Sequence, residues 1–269
     1  MQTVQYIDFL PGGNKTALVI GDRFTSEERR IINDAIMDTD PETEQVGFVQ
    51  DVPGMPASPS LRMAGGEFCG NASRSAAFYY LKGKEGQLLM TVSGEKQVAC
   101  GVCENGDAWC QIPMDKNGYA AMELAESVAP GIHMVRLSGI THLVLEQTAA
   151  APYLEDKTNL KVSGLKLIEK YGLKDCEAAG AIFLESLSGG SLKINPIVWV
   201  RDIASLFYET ACGSGTIAAA LVLAKKEGRL LSADIVQPSG MVIKAEINED
   251  RAVICGPVKT ELLSKTIDI

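Results

Sequence analysis

Short stretches in which apolar and polar residues alternate make up much of this chain, and this period of two predicts many short β-strands. Residues 4–9 and 16–20 alternate in this way around the turn-forming segment Pro11-Gly12-Gly13-Asn14, which predicts a β-hairpin at the start. Later stretches are separated by Ser93-Gly94 and Asn105-Gly106, dipeptides that favour tight turns and predict an antiparallel meander. The three strands of this meander are predicted at residues 87–92, 97–102 and 108–112.

Helical periodicity of apolar residues appears in four places. Residues 26–37 carry a serine N-cap signal and two early glutamates, and residues 160–171 form a second helical pattern. The other two helices begin at similar cysteine segments. Cys69-Gly70-Asn71-Ala72-Ser73 runs into an apolar stretch, and so does Cys212-Gly213-Ser214-Gly215-Thr216. This repeat predicts two halves, each with one cysteine at a turn that opens a helix.

The order of elements around the second cysteine is similar to the order around the first, which supports an internal duplication. Residues 113–130 are less regular and are predicted to hold the crossover between the halves. Strands of the second half are predicted at residues 134–137, 141–145, 179–185, 194–200, 234–236, 241–247 and 252–255. Because hairpins replace regular alternation of strands and helices, the predicted fold class is α+β, with antiparallel or mixed sheets around a helix.

Composition favours a soluble protein of a reducing compartment. The 269 residues suffice for two domains, no apolar run approaches the roughly 18 residues of a membrane span, and the first residues lack signal-peptide character. A net charge of −9 without a cluster of Lys and Arg argues against nucleic acid as a partner. Seven cysteines, an odd number without the density of a disulfide scaffold, favour a cytoplasmic protein with reduced thiols.

A cysteine at the start of a helix lies beside unpaired N–H groups and the positive end of the helix dipole. Both features lower a thiol pKa and attract a carboxylate. Two such cysteines suit a redox pair, a metal site, or an acid and a base on opposite faces of one substrate. The small residues in Gly70-Asn71 and Gly213-Ser214 leave backbone N–H groups accessible to a carboxylate, which favours the acid and base. A thiolate then removes the α-hydrogen while a thiol returns a proton to the other face.

Metal and cofactor chemistry find weaker support in the sequence. Cys100, Cys103 and Cys110 resemble half a zinc site, but a fourth ligand at suitable spacing is absent, so packing between strands is favoured and no metal is predicted. No lysine stands in a persuasive phosphate-binding context. No pyridoxal phosphate or other cofactor is therefore expected.

The two cysteine segments resemble the catalytic signatures of the diaminopimelate epimerase family of cofactor-independent amino acid racemases. Gly12-Gly13-Asn14, Gln237-Pro238-Ser239-Gly240 and Gly256-Pro257 extend the resemblance over nearly the whole chain. The resemblance implies a homodimer with two pseudo-symmetric halves, each a sheet wrapped around a central helix, and an active site in the cleft between the halves. These halves are expected to be residues 1–120, completed by 258–269, and residues 121–257.

The resemblance also implies residue roles, carried over position by position. Cys69 and Cys212 would be the catalytic acid and base, and Asn14 would line the pocket. His142, in Gly139-Ile140-Thr141-His142, is a candidate neighbour of the cysteines, although such a histidine also suits a packing role. The residues expected to bind the substrate α-carboxylate are Gly70, Asn71, Gly213 and Ser214.

The segment before the second cysteine departs from diaminopimelate epimerases, which carry there a Glu-Arg pair that grips the distal amino acid group. Residues 201–209 lack that pair, so a bidentate clamp for a second carboxylate is missing. The acidic and aromatic residues present instead resemble those of the histidine racemases of opine-metallophore pathways. A carboxylate such as Glu44 or Glu209 pairs with an imidazole and repels a distal carboxylate. The expected side-chain contacts are Glu44, Gln45, Tyr208 and Glu209.

The sequence thus predicts an isomerase that inverts Cα of a free amino acid, histidine first, by a two-base thiol mechanism without pyridoxal phosphate or metal. Its expected partner is a small-molecule amino acid, with neither nucleic acid nor membrane. Three alternatives stay open: a diaminopimelate epimerase, a proline racemase-like enzyme or dehydratase, and a non-enzymatic dithiol module for redox or ligand binding.

Overall fold

The computed structural model describes residues 3–21, 23–50, 59–114, 121–188, 190–249 and 251–269 of the chain. Strands and a few helices form two compact units. Unit 1 comprises Met1–Cys110 and Cys255–Ile269, and unit 2 comprises Gln111–Ile254. These boundaries precede the ones predicted from the sequence, after residues 120 and 257. Among the described residues, no helix is both long and apolar enough to cross a membrane.

Unit 1 consists of a mixed sheet around one helix. Its strands follow the order β17-β1-β2-β3-β4-β5-β6-β7 in the sheet. The helix α2 contacts six of these strands besides β17, and almost all of its first two turns are buried. The elements are β1 (Thr3–Pro11), β2 (Thr16–Ile20), α1 (Ser26–Thr39), β3 (Gln45–Val49), β4 (Ser60–Met63), α2 (Gly70–Leu81), β5 (Gly86–Val92), β6 (Glu95–Val102), β7 (Ala108–Ile112) and β17 (Val258–Asp268). Small residues in α2, such as Ala72, Ala76 and Ala77, let the strands approach it on all sides.

Unit 2 is likewise a mixed sheet, with the helix α5 on one side and two helices, α3 and α4, against the other side. The elements are β8 (Ala125–Ala129), β9 (Ile132–Leu137), β10 (Ile140–Leu145), α3 (Gln147–Leu154), α4 (Leu160–Lys170), β11 (Ala178–Ser186), β12 (Leu192–Val200), β13 (Ser205–Tyr208), α5 (Gly213–Glu227), β14 (Ser232–Val236), β15 (Val242–Ile247) and β16 (Ala252–Gly256), whose last two residues belong to unit 1. The strands alternate their faces, so Leu143 and Ala181 enter the cluster beside α3 and α4, while His142 points to α5.

Both units repeat one series of strand pairings. In unit 1, β1–β2 is antiparallel, β2–β3 parallel, β3–β4 antiparallel, β4–β5 parallel and β5–β6 antiparallel. In unit 2 the same series runs through β9–β10, β10–β11, β11–β12, β12–β14 and β14–β15. The second parallel pairing joins two strands that flank the buried helix in sequence, although in unit 2 the short strand β13 lies between β12 and α5. The predicted fold class, α+β with pseudo-symmetric halves each wrapped around a helix, is confirmed.

Most predicted elements are present, including the first hairpin, the meander and both cysteine helices. Helix α1 is capped by Thr25 rather than by Ser26, because the Thr25 side chain and Glu28 form a reciprocal capping box. Two short 3-10 helices, Ala121–Leu124 and Lys157–Asn159, were not predicted, and neither were three strands and one α-helix. The four are β8, within the stretch expected to be irregular, α3, which contains Pro152, the four-residue β13, and the largely exposed β17.

Close packing between α4 and β12 leaves no room for a side chain at Gly164. A Cβ atom there would lie 2.6 to 2.8 Å from three side-chain atoms of Ile197, which is fully buried. We expect Gly164→Ala to lower the free energy of unfolding by about 1–3 kcal/mol, because overpacking outweighs the better helix propensity of alanine. Urea unfolding followed by circular dichroism measures this change.

Val162→Ala is the matched control, since Val162 lies on the same helix and is 53% exposed. It should leave the urea midpoint unchanged or raise it. Equal midpoints for Gly164→Ala and the wild type would contradict the packing account.

Candidate active site

Both cysteines of the repeated segment are N-cap residues. Cys69 caps α2 with φ −131° and ψ 114°, and Cys212 caps α5 with φ −132° and ψ 110°. Each sulfur accepts a hydrogen bond at 3.4 Å from the backbone N–H three residues later, of Ala72 and Gly215 respectively. A second contact is also shared. The side-chain hydroxyl of the residue four positions after each cysteine, Ser73 or Thr216, donates to the cysteine carbonyl at 2.7 Å.

The first helical turn after each cap holds the residues predicted to bind a carboxylate. Gly70 and Asn71 are the first two residues of α2, and Gly213 and Ser214 are the first two of α5. N–H groups of a first helical turn lack acceptors within the helix and are suited to an anion. The two helix starts are therefore chemically alike in the backbone, and their differences lie in the side chains around them.

A polar network surrounds Cys69 in unit 1. The Cys69 thiol donates to Gln45 Oε1 at 2.9 Å, and Gln45 Nε2 donates to Asn14 Oδ1 and to Thr16 Oγ1. Asn14 Nδ2 in turn donates to Glu44 Oε2 at 2.6 Å. The structure therefore brings together Asn14, Glu44, Gln45 and Cys69, all four of which were predicted from the sequence.

Asn71 faces a buried cation that the sequence did not assign to the site. Arg74 is 0% exposed, and its Nη2 donates to Asn71 Oδ1 at 2.9 Å. Its Nη1 donates to the Gly256 carbonyl at 3.0 Å. Burial lowers the pKa of Arg74 to about 10, so the guanidinium is charged at neutral pH.

Cys212 lies in a different electrostatic environment in unit 2. The residue is 2% exposed, and burial raises the pKa of its thiol well above the usual range. The carboxylate of Glu209 raises this pKa further, by its charge and by a hydrogen bond that it accepts from the thiol. Gln237 anchors the cap, because its Oε1 accepts from the Cys212 backbone N–H at 3.0 Å. Cys212 is therefore a thiol at neutral pH.

His142 reaches the same helix start from β10. Its Nε2 lies 2.9 Å from Ser214 Oγ, and Ser214 Oγ lies 3.7 Å from Cys212 Sγ. The imidazole packs where a side chain at Gly180 would be, since a Cβ there would lie 2.2 Å from His142 Nδ1. His142 is fully buried, and burial lowers its pKa to about 3, so the ring is neutral.

Tyr208 lies away from this group. It packs against the cluster beside α3 and α4, on the sheet face opposite to His142, and its hydroxyl donates to Asn195 Oδ1 at 2.7 Å. Burial and the charge of Glu185 raise its pKa. This placement gives no support to the expected substrate contact at Tyr208. The face on which Tyr208 lies is set by side-chain alternation along β13, which no sequence motif reveals.

Sequence reasoning also missed residues that hold the two caps. Gln237 stands inside a motif that was recognised and Arg74 directly follows the first cysteine segment, but their side-chain partners lie far along the chain, at Cys212 and Gly256. Gly180 carries no motif at all. Its role depends on the parallel register of β10 and β11, in which His142 lies opposite Gly180.

The remaining cysteines fit a packing role. Cys100 and Cys110 are opposite each other in the β6–β7 pair, both are 0% exposed, and their sulfurs lie 3.3 Å apart. Cys103 and Cys255 have sulfurs 3.9 Å apart. Within the described ranges no group of three or more His, Cys, Asp or Glu residues is placed to hold a metal ion.

Several solved structures share this fold. A hydroxyproline epimerase from Agrobacterium vitis with bound trans-4-hydroxy-L-proline superposes with a TM-score of 0.65 at 11% identity, covering 98% of this chain and 92% of that one. A phenazine biosynthesis protein of the PhzF family from Enterococcus faecalis gives a TM-score of 0.60 at 16% identity, with both chains fully covered. Identities this low establish the fold, and the sequence relatives establish an amino acid racemase, an enzyme of the isomerase class.

Those relatives are both histidine racemases. The enzyme from Fusobacterium nucleatum subsp. nucleatum is 33% identical over 272 residues, covering 95% of this chain and 94% of that one. The enzyme from Staphylococcus aureus strain Mu50 is 25% identical over 225 residues, covering 80% of this chain and 78% of that one. A family model described as "Histidine racemase CntK N-terminal domain" matches residues 3–256. The chain belongs to this histidine racemase family, which confirms the resemblance seen in the sequence.

The buried, neutral His142 makes stability depend on pH. The unfolded chain takes up a proton near the ordinary pKa of 6.5, whereas the folded protein resists protonation until about pH 3. The free energy of unfolding therefore falls as pH decreases through this window, with a slope of up to about 1.4 kcal/mol per pH unit from this one proton. We expect His142→Gln to remove that component, as measured by urea unfolding at a series of pH values.

His133→Gln serves as the control, because His133 is the other histidine and bonds Glu146 through Nε2 at 2.8 Å. The His133→Gln variant should keep the slope of the free energy of unfolding against pH that His142→Gln loses. Identical slopes for the wild type and His142→Gln would show that the ring is not buried in neutral form.

Proposed function

We propose that this protein interconverts the enantiomers of histidine by moving protons between Cα and two cysteine thiols. The observation that supports this most is the pair of matched N-caps. Cys69 and Cys212 share backbone angles, sulfur contacts and hydroxyl contacts, each at a helix start suited to an anion. Membership in the histidine racemase family supplies the substrate.

In this mechanism the first-turn N–H groups bind the substrate α-carboxylate. A thiolate takes the Cα hydrogen as a proton, so a Cα–H bond breaks, an S–H bond forms and a carbanion remains on Cα. The N–H groups stabilise the charge that spreads onto the carboxylate. The second thiol gives its proton to the opposite face, so that Cα inverts and the two sulfurs have exchanged protonation states.

Cys212 is suited to be the proton donor, because its thiol pKa is raised by burial and by Glu209. Cys69 then acts as the base in the first half of a cycle. The hydrogen bond from Cys69 to Gln45 is made by the protonated form, and a thiolate would turn to the Ala72 N–H that already donates to the sulfur. The Ala72 N–H thus offers a donor to a Cys69 thiolate, and Glu209 offers an acceptor to the Cys212 thiol.

The imidazole of the substrate is proposed to be recognised by Glu44. This carboxylate is joined through Asn14 and Gln45 to the Cys69 thiol, so it lies in the same network as one of the reacting groups. A carboxylate forms charge-assisted hydrogen bonds with imidazolium, whereas a second carboxylate on the ligand is repelled. Histidine is therefore preferred over diaminopimelate.

The enzyme is further proposed to be a cytoplasmic homodimer. Seven reduced cysteines, two of them catalytic in this mechanism, suit a reducing compartment. Light scattering on the purified protein measures the oligomeric state directly.

Incubation of the reduced enzyme with L-histidine in deuterated water tests the mechanism. We expect racemisation with uptake of deuterium at Cα. Cys69→Ser and Cys212→Ser should each lower the racemisation rate by about 10²–10⁴-fold, because one of two proton-transfer groups is lost. Exchange of the α-hydrogen on one face survives in the variant that retains the base.

Cys176→Ser provides the matched control, since Cys176 is partly buried at the edge of the unit 2 cluster. Its racemisation rate should equal that of the wild type. The proposal is wrong if no amino acid in a panel of histidine, lysine and diaminopimelate shows α-deuterium uptake with the reduced wild-type enzyme.

Glu44→Gln tests the side-chain contact while preserving the acceptor for Asn14 Nδ2. We expect KM for histidine to rise about tenfold, because a neutral amide loses a charge-assisted hydrogen bond of roughly 1.5–3 kcal/mol. Steady-state racemisation kinetics give this value. Glu42→Gln should leave KM unchanged. The Glu42 side chain is 86% exposed, and its ion pair with Lys15, at 3.6 Å, is long and solvated. An unchanged KM in Glu44→Gln would assign imidazole recognition elsewhere.

A further inference from the structure

His142 is fully buried, and the racemase mechanism above does not use its side chain. The two ring nitrogens have different surroundings. Nε2 lies 2.9 Å from Ser214 Oγ, whereas Nδ1 is buried and has no hydrogen-bond partner among the described residues. Nδ1 packs against the backbone of Gly180, because a Cβ atom on that glycine would lie only 2.2 Å from it. The polar contact of the ring is therefore made by Nε2.

These surroundings determine which ring nitrogen carries the proton. Burial lowers the pKa of His142 to about 3, so the ring is neutral and has a single N–H. If that N–H were at Nδ1, a buried donor would have no acceptor, an arrangement that proteins avoid more strictly than a lone pair without a donor. The proton is therefore on Nε2, and the ring donates it in the hydrogen bond to Ser214 Oγ.

The hydroxyl of Ser214 has one proton of its own, and an oxygen that accepts from His142 must donate that proton elsewhere. In the described part of the chain, the other side-chain contact of Ser214 Oγ is with Cys212 Sγ, at 3.7 Å. The same sulfur accepts from the Gly215 N–H at 3.4 Å. The Cys212 sulfur is thus approached by one backbone donor and one hydroxyl donor.

Two donors at one sulfur favour its ionised form. Burial is the main cause of the raised pKa of Cys212 and Glu209 raises it further, whereas the Gly215 N–H and the Ser214 hydroxyl lower it. In the two-thiol mechanism, Cys212 gives its proton to Cα and becomes a thiolate although the residue is only 2% exposed. Solvent reaches such a thiolate poorly, so its stabilisation depends on donors from the protein.

We propose that Ser214 is a catalytic residue whose hydroxyl stabilises the Cys212 thiolate, and that His142 is a positioning residue that turns this hydroxyl toward the sulfur. The backbone N–H of Ser214 stays available for the substrate carboxylate. This role rests on the proposed two-thiol function and adds to it the group that holds Cys212 once its proton has left. In unit 1 the corresponding residue is Asn71, whose Oδ1 accepts from Arg74, so the hydroxyl donor is a feature of the α5 cap.

The tautomer of His142 tests the first step, and it needs no substrate. Proton–nitrogen correlation spectra of the reduced enzyme, prepared with isotope-labelled histidine, show which ring nitrogen carries hydrogen. We expect the Nε2–H tautomer for His142 at neutral pH. The chain has two histidines, so the spectrum of His133→Gln assigns the signals. A neutral His142 ring with its hydrogen on Nδ1 overturns the proposal.

Steady-state kinetics of histidine racemisation test the second step. The informative enantiomer is the one whose α-hydrogen Cys212→Ser still exchanges, because Cys212 is the proton donor for that enantiomer. We expect Ser214→Ala to lower kcat for it about tenfold, the effect of one lost hydrogen bond to a charged group, with KM unchanged. A hydroxyl that bound the substrate carboxylate would instead give a raised KM with unchanged kcat, and that result overturns the proposal.

Variants of His142 test whether the ring acts through Ser214. His142→Leu should lower kcat as Ser214→Ala does, and the double variant should lose no more than Ser214→Ala alone. His142→Gln, whose amide N–H replaces the Nε2 donor, should retain most of the wild-type kcat. His133→Gln is the matched control, because His133 bonds Glu146 and should leave kcat unchanged.

A wild-type kcat in Ser214→Ala contradicts the proposal, and so does a double variant in which the two losses multiply. Circular dichroism reports folding of each variant, and the tautomer of the wild-type enzyme remains decisive if His142→Leu does not fold. Absence of racemisation by the wild-type enzyme would refute the proposed function instead. The tautomer is measured without substrate, so the two failures are distinguishable.

Discussion

The hydrogen bond from a backbone N–H to a cysteine sulfur at a helix start determines the arrangement on which the rest of this protein depends. Each sulfur accepts from the residue three positions later, Ala72 or Gly215, and is thereby held in the row of N–H groups that opens the helix. A serine or threonine N-cap would make the same contact with oxygen. In the proposed mechanism the sulfur also takes and returns a proton at Cα, so that the cap is both a structural and a chemical group.

This contact works only if the helix start is fixed, and the fold fixes it by burial. The first turns of α2 and α5 are buried on all sides, because small residues let the strands of the surrounding sheet approach. The N–H groups at the start of such a helix lack acceptors within the helix, so they form a polar edge of an otherwise apolar core. Long-range bonds complete the arrangement, as Gln237 does for the Cys212 N–H and Gly256 does for Arg74.

The sequence was informative where chemistry and local structure coincide in one short segment. The cysteine segments predicted both the caps and the duplication, and the glycine and asparagine turns predicted the hairpins. Tyr208 shows the limit, because it precedes Cys212 closely in sequence but, as the last residue of the short strand β13, packs on the sheet face opposite to His142. Helix α3 shows another limit, since its run of alanines has no amphipathic period and Pro152 lies inside it. Gly180 and Arg74 depend on partners that only strand register and tertiary packing determine.

The two halves repeat one backbone plan, yet each brings a polar group to its cap from a different strand. In unit 1, Gln45 on β3 contacts both Thr16 on β2 and the Cys69 thiol. In unit 2 the corresponding parallel pair places His142 on β10 opposite Gly180 on β11, so the imidazole fills the space of the missing side chain and reaches Ser214. A duplicated pair with identical surroundings would give two thiols of equal proton affinity, and neither would be the preferred base. The side chains around the caps have diverged, since the Cys69 thiol donates to Gln45 whereas burial and Glu209 raise the pKa of the Cys212 thiol, while the shared caps keep their geometry the same.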